Sequence, residues 1–414
     1  MNIAIIGGGV SGMLVAYLLH KEHRVTVFEA NDYIGGHTHT VPVVCNDQTY
    51  NIDTGFIVFN DWTYPNFLKL LDRLGVASQP SSMSFSVRCE RTGLEYNGST
   101  LNTLFAQRRN LFRPSFHRMW RDILRFNRAA KSLLHGSGPA ITLSDYLATH
   151  NYSWEFIEHY LIPMGASIWS AGPQQTRQFP IRSFVQFFHN HGMLTVNRRP
   201  QWRTITGGSQ RYAEALTRPY RERIRLNCPV TSVTRHAHYV TVTPRYGEPE
   251  RFDAVILAAH SDQALALLKD ATPEEKEVLG AITYQENDVV LHTDETVLPR
   301  HSLAWAGWNY YIPRDESARV IVTYNMNILQ NLRAPRTFCV TLNRTNAIDS
   351  EKIIRKLTYH HPVYTQTSIA AQQRYNSVSG VNRTYFCGAY WGYGFHEDGV
   401  NSALAVCEHF GKNL

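Results

Sequence analysis

The stretch Asn2-Ile3-Ala4-Ile5-Ile6-Gly7-Gly8-Gly9-Val10-Ser11-Gly12 decides the fold. Its first five residues are an apolar, β-branched run, long enough for one buried strand. Gly7-x-Gly9-x-x-Gly12 follows at once, and Met13 to His20 reads as a helix with Leu14, Leu18 and Leu19 on one face. Arg24 to Phe28 is a second strand, closed by Glu29 and Ala30. Strand, glycine turn, helix, strand and acid form a dinucleotide-binding fingerprint. Gly7 allows the tight turn, Gly9 admits a pyrophosphate against the backbone, and Gly12 lets the helix sit close on the sheet. The helix N-terminus presents free N–H groups and partial positive charge to phosphates. Glu29 is placed to accept hydrogen bonds from ribose hydroxyls.

With 414 residues the chain is long enough for two domains. At 43% hydrophobic and 18% charged residues it reads as globular, not disordered. No apolar run approaches the ~18 residues of a membrane span. With a strand expected at the very start, no signal peptide is expected. Six cysteines without a C-x-x-C suit a reducing cytosol and argue against a disulfide frame or a metal site. A cytoplasmic protein with no nucleic-acid partner is the expectation. The net charge of +7 directs attention to where the cations sit.

A second glycine pair, Gly35-Gly36, follows Glu29 and leads into His37-Thr38. An NAD site does not need it; a longer cofactor would use it. Tyr50 to Val58 offers another strand around Thr54-Gly55-Phe56. Either later turn, taken alone, is equally plain loop chemistry. Tyr64 to Leu74 reads as an amphipathic helix, and residues 84–96 as a hairpin. Residues 102–135 read as helical and strongly basic, and Asp145 to Leu161 as a helix ended by Pro163. The aromatic segment Trp169 to Trp202 carries Phe184, Phe187, Phe188 and Met193 as core or pocket. An α/β pattern returns with Thr206-Gly207-Gly208, the strand at Val230 and the buried run Phe252 to Ala259. Residues 282–345 alternate like a sheet, with Ala304–Ala306 as one strand, and Glu351 to Leu357 reads as helix. Tyr385 to Ala389 is a strand into a glycine turn. A last helix is expected over Ala403 to Phe410, preceded by His396-Glu397-Asp398-Gly399-Val400.

In this order these pieces resemble the flavin-containing amine oxidoreductase superfamily, with monoamine oxidase and phytoene desaturase at its two poles. The strings DTGFIVFN (53–60), WRTITGGSQRY (202–212), YHHPVY (359–364) and FCGAYWGYGFHEDGVNSAL (386–404) are similar to a bacterial branch whose members are often encoded beside cyclopropane-fatty-acid-synthase-like methyltransferases. The resemblance implies an α/β fold: a Rossmann-like FAD domain from residues 1–75, 200–280 and 370–414. A discontinuous α+β substrate domain would take 76–199 and 281–369. It implies FAD as cofactor, bound by Gly7, Gly9, Val10, Ser11, Gly12, Glu29 and Ala30, then by Gly36, His37, Thr38, Thr54, Gly55 and Phe56. Val230 would hold adenine through its backbone. Gly388, Gly399 and Val400 would cover the flavin pyrimidine edge, with the last helix aimed at O2.

Two departures stand out. The family usually has Arg where this chain has His37, and its amine oxidases carry a lysine within the region of 281–299, where this chain has Asn287-Asp288 and no lysine. The second departure weakens an amine-oxidase reading, and some members of the similar bacterial branch are implicated in desaturating phospholipid acyl chains. The resemblance therefore implies, as the leading expectation, an FAD-dependent dehydrogenase or desaturase acting on an apolar, lipid acyl substrate. An amine oxidase and a non-catalytic FAD-binding protein are the alternatives. Catalytic candidates are His396, Glu397, Tyr390 and Trp391, with Phe56 and Asn60 opposite. For His396 and Glu397 the competing reading is a helix-cap network; for Tyr390 and Trp391 it is packing at the domain seam. Finally, Arg118, Arg121, Arg125 and Arg128 share the face opposite the apolar residues of 116–128. That face is either a solvated surface or a peripheral contact with anionic headgroups at the inner membrane face.

Overall fold

A computed structural model describes residues 1–134, 141–195, 199–315 and 317–414. Five parallel strands form one sheet, in the order Ile224–Arg225, Arg24–Phe28, Asn2–Ile6, Ala254–Leu257, Thr384–Phe386. Its alternation assigns each side chain to a face. Ile3, Ile5, Val25, Val27 and Ile256 enter one core with helices Val10–Leu19, Pro65–Leu74, Gln210–Thr217 and His396–Glu408. Ala4, Ile6, Phe28, Val255 and Leu257 enter another, beneath a three-stranded sheet of Val230–Arg235, Val240–Pro244 and Glu250–Phe252. Both faces are covered, which is why these strands read as unbroken apolar runs.

A seven-stranded sheet has the order Ile353–Pro362, Tyr284–His292, Cys339–Leu342, Val322–Asn325, Trp308–Ile312, Phe85–Cys89, Leu94–Asn97. Every pairing is antiparallel except Trp308–Ile312 with Phe85–Cys89. Helices Pro114–Ala129, Leu143–Thr149, Ile162–Trp169 and Ile181–Asn190 share its core.

Four elements differ from the sequence expectation. Residues 353–362 are an edge strand, not a helix; pairing along 284–292 overrides local preference, and exposed Arg355 and Lys356 guard the open edge. Ala304 ends a single 3₁₀ turn, Ser302–Ala304, and 304–306 is no strand. The helix expected over 145–161 is broken at His150–Ser153, then runs on past Pro163 to Trp169. It does so through a π-helical turn, Ile157–Leu161, and the Tyr96 hydroxyl donates to the His159 carbonyl at 2.7 Å, taking the place of the N–H that Pro163 lacks. The last helix begins at His396, not Ala403. Asp398 starts it by accepting the N–H groups of Phe395 (2.9 Å) and Tyr393 (3.0 Å). The basic stretch 102–135 is a short helix, a 3₁₀ turn, the helix 114–129 and a further 3₁₀ turn; His135 lies outside the described residues.

Candidate functional site

The carboxyl ends of the parallel strands carry Gly7, Glu29, Ala258 and Gly388, so the first glycine turn opens where ligands of such sheets bind. Gly7 has φ +108° and lies against the Ala258 carbonyl, a conformation and a contact that exclude a side chain. A Cβ on Gly12 would stand 2.1 Å from the Gly7 oxygen. Gly9 differs: a Cβ there meets nothing within 4 Å. No side chain caps the helix that starts at Val10, so the N–H groups of its first turn face that open space. Gly35 donates to the Gly8 carbonyl at 2.8 Å, which places the second glycine turn directly against the first.

Glu29 is buried and accepts the N–H of Gly8 (2.7 Å) and of Asn31 (2.9 Å). Burial raises its pKa. Each oxygen retains a lone pair for a ribose hydroxyl. Ala30 is exposed beside it. Val230 begins its strand next to this corner, where Cys228 donates to the Glu29 carbonyl at 2.8 Å. Open space at Gly9, an uncapped helix start beside it and an acid at the next strand end together fit a dinucleotide.

The second turn leads into a wall of neutral imidazoles and phenols. His37 lies 4.9 Å from the Tyr359 ring, 5.5 Å from His361 and 5.9 Å from His260, between centroids. Its Nε2 is buried without a partner. Burial, with His260 and His360 nearby, pushes its pKa down to about 3, so no fixed cation stands here. Thr54 donates to the His39 carbonyl (3.0 Å) and meets the Tyr359 hydroxyl at 2.7 Å. Gly55 rests on the His37 carbonyl, which a Cβ would approach to 2.4 Å. Asn287, at the position lacking lysine, is fully buried, and its amide meets His361 Nδ1 at 3.0 Å.

Phe56 has φ +42°, an unusual conformation for a bulky residue and one that concentrates at functional sites. Its ring stacks on His396 with centroids 3.2 Å apart. His396 Nε2 lies 2.7 Å from the Tyr212 hydroxyl and 3.0 Å from Thr38 Oγ1, which are themselves 2.5 Å apart. Burial keeps this imidazole neutral, its pKa well below the usual value. The turns at 36–38 and 54–56 and the start of the last helix thus converge on one cluster.

The remaining candidates stand apart from it. Glu397 accepts the N–H groups of Asn66 (3.0 Å) and Phe67 (2.8 Å), capping the helix Pro65–Leu74. Asn60 Oδ1 accepts from the N–H groups of Trp62 and Thr63, closing a turn. Trp391 packs on the core beneath the three-stranded sheet and crosses Tyr375 at 4.9 Å. Tyr390 is buried beside it with an unpaired hydroxyl. Gly399 seats the last helix on the first: Ser11 donates to its carbonyl at 2.8 Å, and a Cβ would stand 2.7 Å from Val10. Val400 is in the same core. Gly388 receives Ser402 Oγ on its N–H at 2.9 Å.

Sequence reading missed Tyr212, Tyr359 and His361. All three lie in strings singled out for resemblance, and an aromatic or imidazole within such a string is the signal that could have found them.

The model of the flavin containing amine oxidoreductase family matches residues 10–324. The chain is 23% identical over 260 residues to amine oxidase [flavin-containing] A of Bos taurus, a match covering 58% of this chain and 46% of that protein. The chain thus spans less than half the length of the curated relatives it matches. Among solved structures, a CLA-producing fatty acid isomerase from P. acnes superposes with a TM-score of 0.69 at 16% identity, covering 99% of this chain and 98% of that one. Cyclohexylamine oxidase from Brevibacterium oxydans IH-35A gives 0.68 at 15% identity, covering 99% of each chain. With that match spanning most of its length, and a cradle shaped for the cofactor, the chain belongs to the flavin-containing amine oxidoreductase family, and FAD is its cofactor.

Proposed function

We propose that the chain is an FAD-dependent dehydrogenase or desaturase whose substrate is apolar, a lipid acyl chain. FAD, when bound, supplies the hydride acceptor. The observation that carries the choice of substrate is the wall beside Phe395 and His396. Phe187 stacks on Phe395 (5.1 Å) and crosses Tyr393 (5.5 Å); behind it Trp169 meets Phe187 (4.8 Å) and Phe179 (4.3 Å). The carboxylates next to this wall are already committed. Glu397 and Asp398 hold backbone N–H groups, and burial pushes Asp398 up to about 7. A cationic ammonium would find no free counter-charge there, whereas an alkyl chain would find aromatic faces. The fold also serves a fatty acid isomerase, so it accommodates a fatty-acid ligand.

In this reading residues 1–75, 200–280 and 370–414 hold the cofactor, and 76–199 and 281–369 shape the substrate side. His396, kept neutral and oriented by Tyr212 and Thr38, holds or moves the proton. Glu397 is a helix cap, and Tyr390 and Trp391 pack the seam. The test is anaerobic mixing of the yellow protein with dispersed unsaturated phospholipid, a long-chain amine and benzylamine. Loss of flavin absorbance with the phospholipid alone is expected. Reduction by the amines instead would make it an amine oxidase, and no reduction by any donor would leave a binding protein.

A further inference from the structure

Residues 101–134 contain eight Arg or Lys and one acid, Asp122, an excess equal to the +7 of the whole chain. The structure sorts these cations into two groups. On the helix Pro114–Ala129, Arg118 donates to Glu155 (2.6 Å). Arg125 lies over the Tyr152 ring at 4.1 Å, meets Asp122 at 3.4 Å and donates to the carbonyls of His150 and Asn151. Two of the four arginines on that face are therefore engaged within the protein.

The second group begins with Arg108 and Arg109, which line, together with Arg88, Arg300 and His301 from elsewhere in the chain, a concavity of about 540 Å³ at the edge of the seven-stranded sheet. Its two acids are occupied. Glu95 accepts the N–H groups of Arg300 and His301, each at 3.0 Å, and pairs with Arg88 at 3.6 Å; Glu90 accepts the Tyr311 hydroxyl at 2.5 Å. Arg109 makes one hydrogen bond, to the Gly93 carbonyl. The exposed Arg300 guanidinium has no partner among the described residues. Burial, and then the neighbouring Arg109 charge, lower the pKa of Arg113.

Large apolar side chains are exposed on the elements that carry the concavity's lining residues, Leu111 and Phe112 on the 3₁₀ turn of Arg108 and Arg109 and Leu303 on the turn after His301. Phe112 is 86% exposed, Leu101 77%, Leu111 45% and Leu303 44%. The helix Leu101–Leu104 packs against the turn Ser302–Ala304, which brings Leu101 and Leu303 to one side of it. The unpartnered Arg300 and the singly bonded Arg109, set among bare apolar side chains, match a surface that offers phosphate above hydrocarbon. We propose that Leu101, Arg109, Phe112, Arg300 and Leu303 dock the protein on an anionic phospholipid bilayer, with the concavity taking one headgroup phosphate. This holds whatever the flavin oxidises, since docking is read from vesicle binding and the substrate from flavin absorbance.

The experiment is cosedimentation of the holoprotein with vesicles of phosphatidylcholine, alone or mixed with phosphatidylglycerol, at low and high salt. Binding is expected only to the mixed vesicles and only at low salt. R109Q/R300Q and L101S/F112S should each weaken it by about tenfold, and R121Q/R128Q should leave it nearly intact. Unchanged melting temperature and flavin absorbance show that each variant folds. Equal binding to phosphatidylcholine alone, undiminished binding by either of the first two variants, or loss of binding in R121Q/R128Q would overturn the proposal. So would full competition by inorganic phosphate with no effect of L101S/F112S, which would mark a site for a soluble anion.

Discussion

Replacing Gly9 with valine separates cofactor binding from folding in a way its neighbours do not permit. Gly9 has φ −71° and ψ −178°, which any residue adopts, and its Cβ direction is empty out to 4 Å. The protein itself therefore accepts the side chain. Apo stability should change by no more than about 1 kcal/mol, since reduced chain entropy opposes the loss of a good N-cap residue. The open space lies at the N-terminus of the helix Val10–Leu19, which no side chain caps. A valine there displaces the pyrophosphate from hydrogen bonds worth about 1.5–3 kcal/mol each. Losing two costs about 3–6 kcal/mol, roughly a hundredfold or more in FAD affinity. Flavin absorbance per protein in the purified variant, alongside its thermal melt, reads both terms. Gly12→Ala should behave differently: its Cβ would lie 2.1 Å from the Gly7 oxygen, and the variant should fail to fold. A Gly9→Val protein that retains full flavin would refute the placement of the pyrophosphate.

Two further outcomes follow from the site's hydrogen bonds and titrating groups. Glu397→Ala should destabilise the chain by about 1–2 kcal/mol through the lost cap on Pro65–Leu74, seen as a lower urea midpoint, while the flavin spectrum of the folded protein stays unchanged; a shifted spectrum at unchanged stability would return Glu397 to the reaction centre. Acid should unfold the protein through its imidazoles. Burial lowers His159, His191 and His292 to about 4, so the folded state keeps them neutral while the unfolded chain protonates them near the ordinary 6.5. Their contribution is complete above pH ~6.5 and lost as pH falls toward 4. Asp53 and Asp398, raised to about 7, act in the opposite direction, since the folded state holds their protons up to that pH and stability declines from pH ~4 to 7. With more imidazoles than carboxyls shifted, the urea midpoint should fall between pH 6.5 and 4.5. A rise across that interval would show that the carboxyls dominate.

What was legible in the sequence was what a few neighbouring residues decide alone. Gly7 and Gly12 are fixed by contacts within a dozen residues and one adjoining strand, and the strands beside them read as the apolar runs that a parallel sheet covered on both faces requires. The misread elements depend on distant partners. Residues 353–362 are a strand because 284–292 lies beside them. Pro163 interrupts nothing because Tyr96, on another sheet strand, supplies the missing donor. The last helix starts seven residues early because Asp398 reaches back to Tyr393 and Phe395, an acid that pattern alone read as part of a loop.

The same distinction governs the candidate site. His37 was legible as a departure from the arginine the family favours, but a lone substitution does not reveal its consequence. The structure supplies it: Tyr359 and His361 from an edge strand, and His260 from the loop after a parallel strand, enclose an imidazole that burial keeps neutral. Asn287 joins the same wall through His361, so the two departures from the amine oxidase pattern are neighbours. Without a fixed cation, this wall presents neutral donors and aromatic faces. Such a wall is compatible with the apolar substrate proposed above, because an alkyl chain can contact it without desolvating a charge.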